Sequence, residues 1–381
     1  MPSQLDELLR RVSDEIDTEH CQRVDVRYRR ALTWEPVDYP PLVVYATWPA
    51  TMQLPPPWDR FEHFPYGTAF DHPEMMLQNQ LLDRVVPGLV LKDDGPLAIR
   101  ADHGAIQVAG VLGGRWVLTG DNYPWIEPIQ SRDVLRQIAT DRTSIDLEGG
   151  NLKLSLETLR FYHEKLKQFP PCGDWIQVSM PDLQGPMDTA EQLWGSEMFV
   201  GFYESPDLVA SLMARIVDTM LVLAETYRPL TVDRLDPVGN TQHGYVFPGR
   251  LLLRGDSCIM ISPQMYAEQV RPHDARLLRD IGGGSIHFCG NGEHLIPAML
   301  AIEQLRGLDF GDSFKMNLGS IYARCAERRV AITNLNLPRE DMISQKAHKD
   351  YPTGAVMRYQ TRSIEDAREV LTAWHHSGAY A

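Results

Sequence analysis

The sequence predicts an α/β protein folded as one (β/α)8 TIM barrel, and three observations carry that prediction. From about residue 155 onward, short apolar runs alternate with amphipathic helical runs, the pattern of a parallel sheet with helices outside it. Six or more such units in one chain favour a closed barrel over an open sheet. A length of 381 residues suits a barrel with insertions, whereas composition alone does not choose between one large domain and two. The expected layout is one domain over 1–381, with an N-terminal helical extension over 1–38 and a β-hairpin insertion over 85–125.

Each element follows from local chemistry. Ser3 can cap a helix running to about Arg30, with Asp6 in its first turn. The run PPLVVYA, residues 40–46, reads as a buried strand. The segment TWPATMQLPPPWDRFEHFPYGTAFDHPEMM after it is too long for an ordinary connection and reads as a functional loop or lid. Its Trp48, Trp58, Phe61, Phe64 and Tyr66 could cover a flat or apolar substrate, or pack against a second subunit in a homodimer. Alternation in LAIRADHGAIQVAGVLGGRWVL, with Gly113 and Gly114, predicts the hairpin.

Downstream, SLETLRFYHEKLKQF is helical and DWIQVSMPD is strand-like. SPDLVASLMARIVDTMLVLAETY is a long helix capped by Ser205 with Pro206 at its first position. RLLLRGDSCIMIS is the next strand, and a helix opens at Ser262 and Pro263. GSIHFCG is a strand, HLIPAMLAIEQLRG a helix, DSFKMNLG a strand, IYARCAERR a helix and VAITNLN a strand. GAVMRYQ is the last strand, before a helix capped by Ser363. Asp182, Asp256, Cys289, Asn317 and Asn336 would then end strands at one rim, where barrel active sites lie.

Charge and composition narrow the function. Hydrophobic residues make up 43% of the chain and charged residues 23%, with 8 tryptophans, so a large core can form. A formal net charge of -14 argues against nucleic acid or an anionic membrane surface as a general partner. The most apolar helical run contains Arg215 and Asp218, so it belongs to a core and not to a membrane span. Charges throughout MPSQLDELLRRVSDEID argue against a signal peptide, and five widely spaced cysteines argue against a disulfide framework. Both point to a cytoplasmic protein.

His287 and Cys289 lie two apart in a strand-like run, so their side chains share a face. Imidazole plus thiolate is a start for zinc, which takes four ligands or three plus an open position. The alternative is a satisfied histidine beside a small buried thiol. Asp256 is a carboxylate in an apolar strand and must be paired, ligating or at the rim. In PDLQGPMDTAEQLWG, the residues Asp182, Gln184 and Asp188 follow a strand and could contact substrate, or could serve only a turn and a helix start. CGNGEHL, with Asn291, could present amides to an anion. GGG at 282–284 reads as a turn, and His375 and His376 as solvated.

The run SCIMISPQMYAEQVRPHDARLLRDIGGGSIHFCGNGEHL resembles the uroporphyrinogen decarboxylase superfamily, which includes decarboxylases and zinc- and corrinoid-dependent methyltransferases. DVRYRRALTWEPVDYPPLVV, DLQGPMDTAEQLWG and MNLG are similar to further family positions. The resemblance implies a barrel with zinc held by His287 and Cys289, and methyl transfer from a corrinoid on a partner protein, or another donor, to a small-molecule thiol. Two departures stand out. Uroporphyrinogen decarboxylase has an Arg-Gln-Ala-Gly-Arg type segment where this chain reads ATWPATMQLPPPWDRF, which argues against a porphyrinogen substrate. The methyltransferases supply a further zinc cysteine near the last strand, whereas GAVMRYQTRS has none. Cys325 is the nearest downstream thiol, and His243, Asp256, Glu293, His294 and His348 are other donors. Two alternatives to methyl transfer follow. One is a metal-free decarboxylase using Asp256 or Asp182, with Arg60, Arg100, Arg254 or Arg358 on substrate carboxylates. The other is a barrel that has lost catalysis and binds a ligand or a corrinoid protein.

Overall fold

The computed structural model describes residues 3–45, 54–143, 145–147 and 149–375. Trp48 and His376 lie outside the described residues. The helical extension is two helices, Gln4–Glu15 and Thr18–Leu32, because Asp17 breaks the run and accepts a hydrogen bond from His20 N at 3.0 Å. Leu5, Leu8, Leu9 and Val12 give the first helix one buried stripe, and Ser3 caps it as the sequence predicts.

Among the described residues twelve strands follow: β1 Leu42–Tyr45, β2 Ala98–Arg100, β3 Trp116–Val117, β4 Trp125–Ile126, β5 Gln177–Ser179, β6 Gly239–Gln242, β7 Tyr245–Pro248, β8 Leu252–Arg254, β9 Gly284–Phe288, β10 Leu305–Phe310, β11 Ala331–Asn336 and β12 Ala355–Gln360. Six of them form a parallel sheet in the order β1-β12-β11-β10-β9-β8, and β2 and β5 form a separate parallel pair. No continuous ladder closes these strands into a ring among the described residues, so the protein is α/β with a parallel sheet. Both open edges of the sheet are nevertheless tied to the chain beside the pair. Leu42 N and Val44 N donate to the Asp94 and Asp93 carboxylates at 2.9 and 2.6 Å, and Arg254 N donates to Gln184 O at 3.3 Å. Buried backbone N–H groups need such partners.

The β6–β7 hairpin packs between the sheet and the pair. Thr241 in β6 shares a 2.8 Å hydrogen bond with Ser179 in β5, and Ser285 in β9 donates to Pro248 O at 2.7 Å. Its two-residue turn, His243 and Gly244, has φ of 53° and 79°, the left-handed pair of a tight hairpin turn.

Several sequence expectations are corrected. The hairpin insertion expected over 85–125 is instead a helix at Val86–Leu91, strand β2, a helix at Gln107–Val111 and the two-residue β3–β4 pair. β2 is buried on both faces, as parallel strands are, so its apparent alternation carries no hairpin signal. Gly113, at φ 92°, ends the second of these helices instead of turning a hairpin. The strand expected at DSFKMNLG lies earlier, at β10, and Asn317 caps the helix Leu318–Arg328 by accepting from Ser320 N at 3.2 Å. Ser205 stands at the start of the helix Pro206–Tyr227 without a side-chain capping bond, while Ser262 and Ser363 do cap. Trp58 and Phe61 are buried in the main apolar core. No described helix is long and apolar enough to cross a membrane.

Candidate functional site

A cavity of about 390 Å³ opens where the strands of the sheet end, within the size range of small-molecule sites. On one wall stand Asp256, His287 and Cys289, whose ligand atoms all lie within 4.8 Å of one another. β9 delivers His287, and Cys289, one residue past the end of the strand, faces the same cavity, as the i, i+2 spacing predicts. Asp256 arrives on the turn after β8, its Oδ1 accepting from Cys289 N at 2.6 Å. Asp188 fixes that turn from below. Its two carboxylate oxygens accept from the backbone N–H groups of Asp256 and Ser257 at 3.0 and 2.9 Å.

The distances suit a tetrahedral metal. Zinc bonds of roughly 2.0 Å to nitrogen and 2.3 Å to sulfur at a tetrahedral angle put those donors roughly 3.5 Å apart. Cys289 Sγ lies 3.5 Å from His287 Nε2, and Asp256 Oδ1 lies 3.7 Å from the same nitrogen. Behind the ring, His287 Nδ1 donates to Asp309 Oδ1, and Thr333 donates to the other Asp309 oxygen at 2.6 Å. Burial alone would raise the Asp309 pKa, but the His287 and Thr333 hydrogen bonds and the charge of Arg254 hold it below the usual carboxylate range. With Asp309 ionised, Nδ1 keeps its proton, and when a metal displaces the second ring proton Nε2 would face its two neighbours as a ligand atom, the carboxylate–histidine arrangement found behind metal ligands. Burial disfavours charge on metal-free His287, yet the bonds to Asp309 and Cys289 bring its pKa up to about 9.

A second cluster forms the floor. Asp182, after β5, accepts from Gln184 N at 2.9 Å and from Arg254 Nε at 3.1 Å, and its Oδ2 lies 2.8 Å from His243 Nε2. Burial opposes its ionisation, but Arg254, His243 and Arg100 together hold its pKa far below normal. His243 Nε2 is also 2.7 Å from Arg100, so the location of its proton decides which of the two neighbours it serves. Burial, then the Arg100 charge, push the His243 pKa down to about 3. Arg100 itself pairs with Asp102 at 2.5 Å.

The structure brings together Asp182, Gln184, Asp256, His287, Cys289 and Arg358 around one cavity. Other expected site residues are elsewhere. Cys325 is buried on the helix Leu318–Arg328, where burial pushes its thiol up to about 12, and it is not part of the donor group. Asn291 braces a loop through Lys315 O and Glu293 N, Asn317 is a helix cap, and Asp188 supports the Asp256 turn without lining the cavity. Glu293 accepts from Asn317 N, His294 bonds Ile261 O, His348 stacks edge-on with Trp374 at 3.9 Å, and Arg60 pairs with Glu7. His375 is not solvated, since its ring packs against Tyr39 at 5.1 Å.

Sequence reasoning missed Asp309 and Arg84. Asp309 could have been found by extending β9's neighbour one strand further upstream, where LDF places a carboxylate among apolar residues. Arg84, inside a helical run, carries no sequence signal. No protein-family model matches the chain, and no curated protein matches it, so the superfamily resemblance rests on the residues that carry it.

Proposed function

We propose that this chain is a methyltransferase-like enzyme of the uroporphyrinogen decarboxylase superfamily, acting on a small molecule at the Asp256–His287–Cys289 group. The reading takes 1–381 as one (β/α)8 barrel with strands in the ring order β1, β2, β5, β8, β9, β10, β11, β12. Its support is the ties from both sheet edges to the segments beside the β2–β5 pair. The observation that carries the function is the donor geometry, nitrogen, sulfur and oxygen at metal-binding separations with Asp309 behind the imidazole. Asp256 takes the place expected of Cys325. Zinc held there would lower the pKa of a substrate thiol so that it can accept a methyl group at neutral pH.

This chain's own residues supply the rest. Asp309 sets the tautomer of His287, Asp188 holds Asp256 in place, and Asp182 keeps Arg254 and His243 fixed at the floor. The methyl donor would be a corrinoid on a partner protein or another methyl compound. Five unpaired cysteines fit a reducing compartment such as the cytoplasm.

The arginines in the cavity favour a second reading, a metal-free decarboxylase whose substrate carboxylate meets Arg254 or Arg358. Metal content decides between them. Protein purified without an affinity metal should hold about one zinc per chain by mass spectrometry, and a His287→Ala, Cys289→Ser variant should hold none. Equal metal in both, or none in the wild type, would overturn the methyl-transfer reading.

A further inference from the structure

Most charges in the cavity are compensated at short range. Arg254 has Asp182 at 3.1 Å, and Asp309 has His287. Arg84 and Arg358 differ, since both line the cavity and neither has a carboxylate within ion-pair distance among the described residues. Arg358 projects from β12. Its guanidinium lies over the rings of Tyr45 at 4.6 Å and Tyr245 at 5.4 Å, with Asn334 Oδ1 at 3.4 Å its one hydrogen-bond partner among the described residues, and its Nε is buried with none there. Two stacked tyrosine faces hold the guanidinium plane and leave its edge for a ligand.

Arg84 reaches the same side of the cavity from another element. It passes beside the hairpin turn, where a Cβ on Gly244 would meet its Cδ at 3.5 Å, and its charge bears on Tyr245 as that of Arg358 does. The same cavity is lined by two glutamines whose side-chain carbonyl oxygens are unanswered among the described residues. Gln242 is 6% exposed, lines the cavity, and its Oε1 has no partner; Gln184 Oε1 is likewise buried and unpaired. Gln184 also sits at φ 60°, a conformation uncommon for a side chain of its kind and frequent at binding sites. Arg84 and Arg358 are half-buried, and the buried polar atoms that protein leaves unpaired, Arg358 Nε and the two glutamine oxygens, are satisfied by something else.

We propose that the substrate carries a carboxylate, bound by Arg84 and Arg358 on the tyrosine-walled side of the cavity, with the Gln184 and Gln242 amides hydrogen-bonding the polar body between it and the Asp256–His287–Cys289 group. A planar, bidentate anion matches a guanidinium edge exposed by stacking. The assignment takes its location from the proposed function, because the carboxylate is the end of the substrate remote from the reacting atom.

The probe is glutarate, with glutaramide as the uncharged molecule of the same length, titrated calorimetrically into the purified full-length protein. Glutarate should bind at least about tenfold more tightly than glutaramide, and Arg84→Met and Arg358→Met should each weaken glutarate about tenfold or more while leaving glutaramide unchanged. Arg358→Lys, which keeps charge but loses the planar fork, should fall between wild type and Arg358→Met. Thermal melts establish that each variant is folded, and if Arg358→Met is not, Arg84→Met and Arg358→Lys carry the test. Equal binding of the two probes, no glutarate binding, or wild-type glutarate affinity in the arginine variants would overturn the proposal. Metal content is read separately, so an absent metal would overturn the methyl-transfer reading without touching this result.

Discussion

Asp309 acts on the candidate metal group only through His287, which makes it a positioning residue with a measurable signature. Asp309→Asn keeps the shape but can present its amide N–H₂ to Nδ1, which favours the tautomer that carries the proton on Nε2 and so blocks that nitrogen as a ligand. Zinc affinity, read by competition with a chelator, should fall about 10- to 100-fold, and Thr333→Val, which removes only the bond to the other carboxylate oxygen, should cost less. Unchanged affinity in Asp309→Asn would remove Asp309 from the site. At this scale the sequence discloses the pair, because i, i+2 spacing on a strand is a fixed geometric relation. It offers Asp256 only as one further donor among several, since Asp256 meets the pair only after β8 and β9 align. Cys325 attracted the assignment by chemical type alone, and burial on an outer helix removes it.

Elements bring the distant groups together, and the β6–β7 hairpin is the one whose failure would be felt across the cavity. Its tip places His243 against Asp182 and Arg100, beside Arg84. Gly244→Ala puts a side chain at φ 79°, so it should lower stability by about 1 kcal/mol in urea unfolding, while its Cβ would only touch Arg84 Cδ at 3.5 Å and leave that side chain in place. Wild-type stability in that variant would mean the turn relaxes without cost. The sequence QHGYVF held a hairpin signal, but histidine is a less familiar residue than asparagine at the first left-handed position. The Gly113–Gly114 pair drew the hairpin to the wrong place, because a glycine after a helix and a glycine in a turn look alike until the helix is seen. Ser-Pro starts were legible where the proline fixes the first helical φ, as at Pro206 and Pro263.

Across the whole molecule, parallel β-then-α order was legible because strand-like and helical runs alternate along the chain, while the edges of the sheet were not, since β1 is answered by the side-chain carboxylates of Asp93 and Asp94 instead of by a neighbouring strand. The number of carboxylates buried in this way gives the protein a pH dependence of its own. Burial raises Asp93, Asp233 and Asp274 to about 7, whereas burial lowers His103 to about 4 and His243 to about 3. The raised acids contribute stability that is full below their unfolded value, near 4, and lost as pH rises through about 7. The lowered histidines contribute stability that is full above about 6.5 and lost as pH falls toward 4. Between about pH 4 and 6.5 the two sets oppose each other, so the wild-type profile alone cannot assign either. Asp274 separates them, being 1% exposed with one oxygen bonded by Tyr266 at 2.8 Å and the other without a partner. Asp274→Asn removes one raised acid and leaves every histidine in place. The stability of wild type relative to this variant should therefore fall by about 1 kcal/mol per pH unit from pH 5 to 7 and level off above 7, measured by denaturant unfolding at each pH. A difference that stays flat across that range would mean that Asp274 is already ionised in the folded protein at pH 5, with a charge answered by a group other than Tyr266.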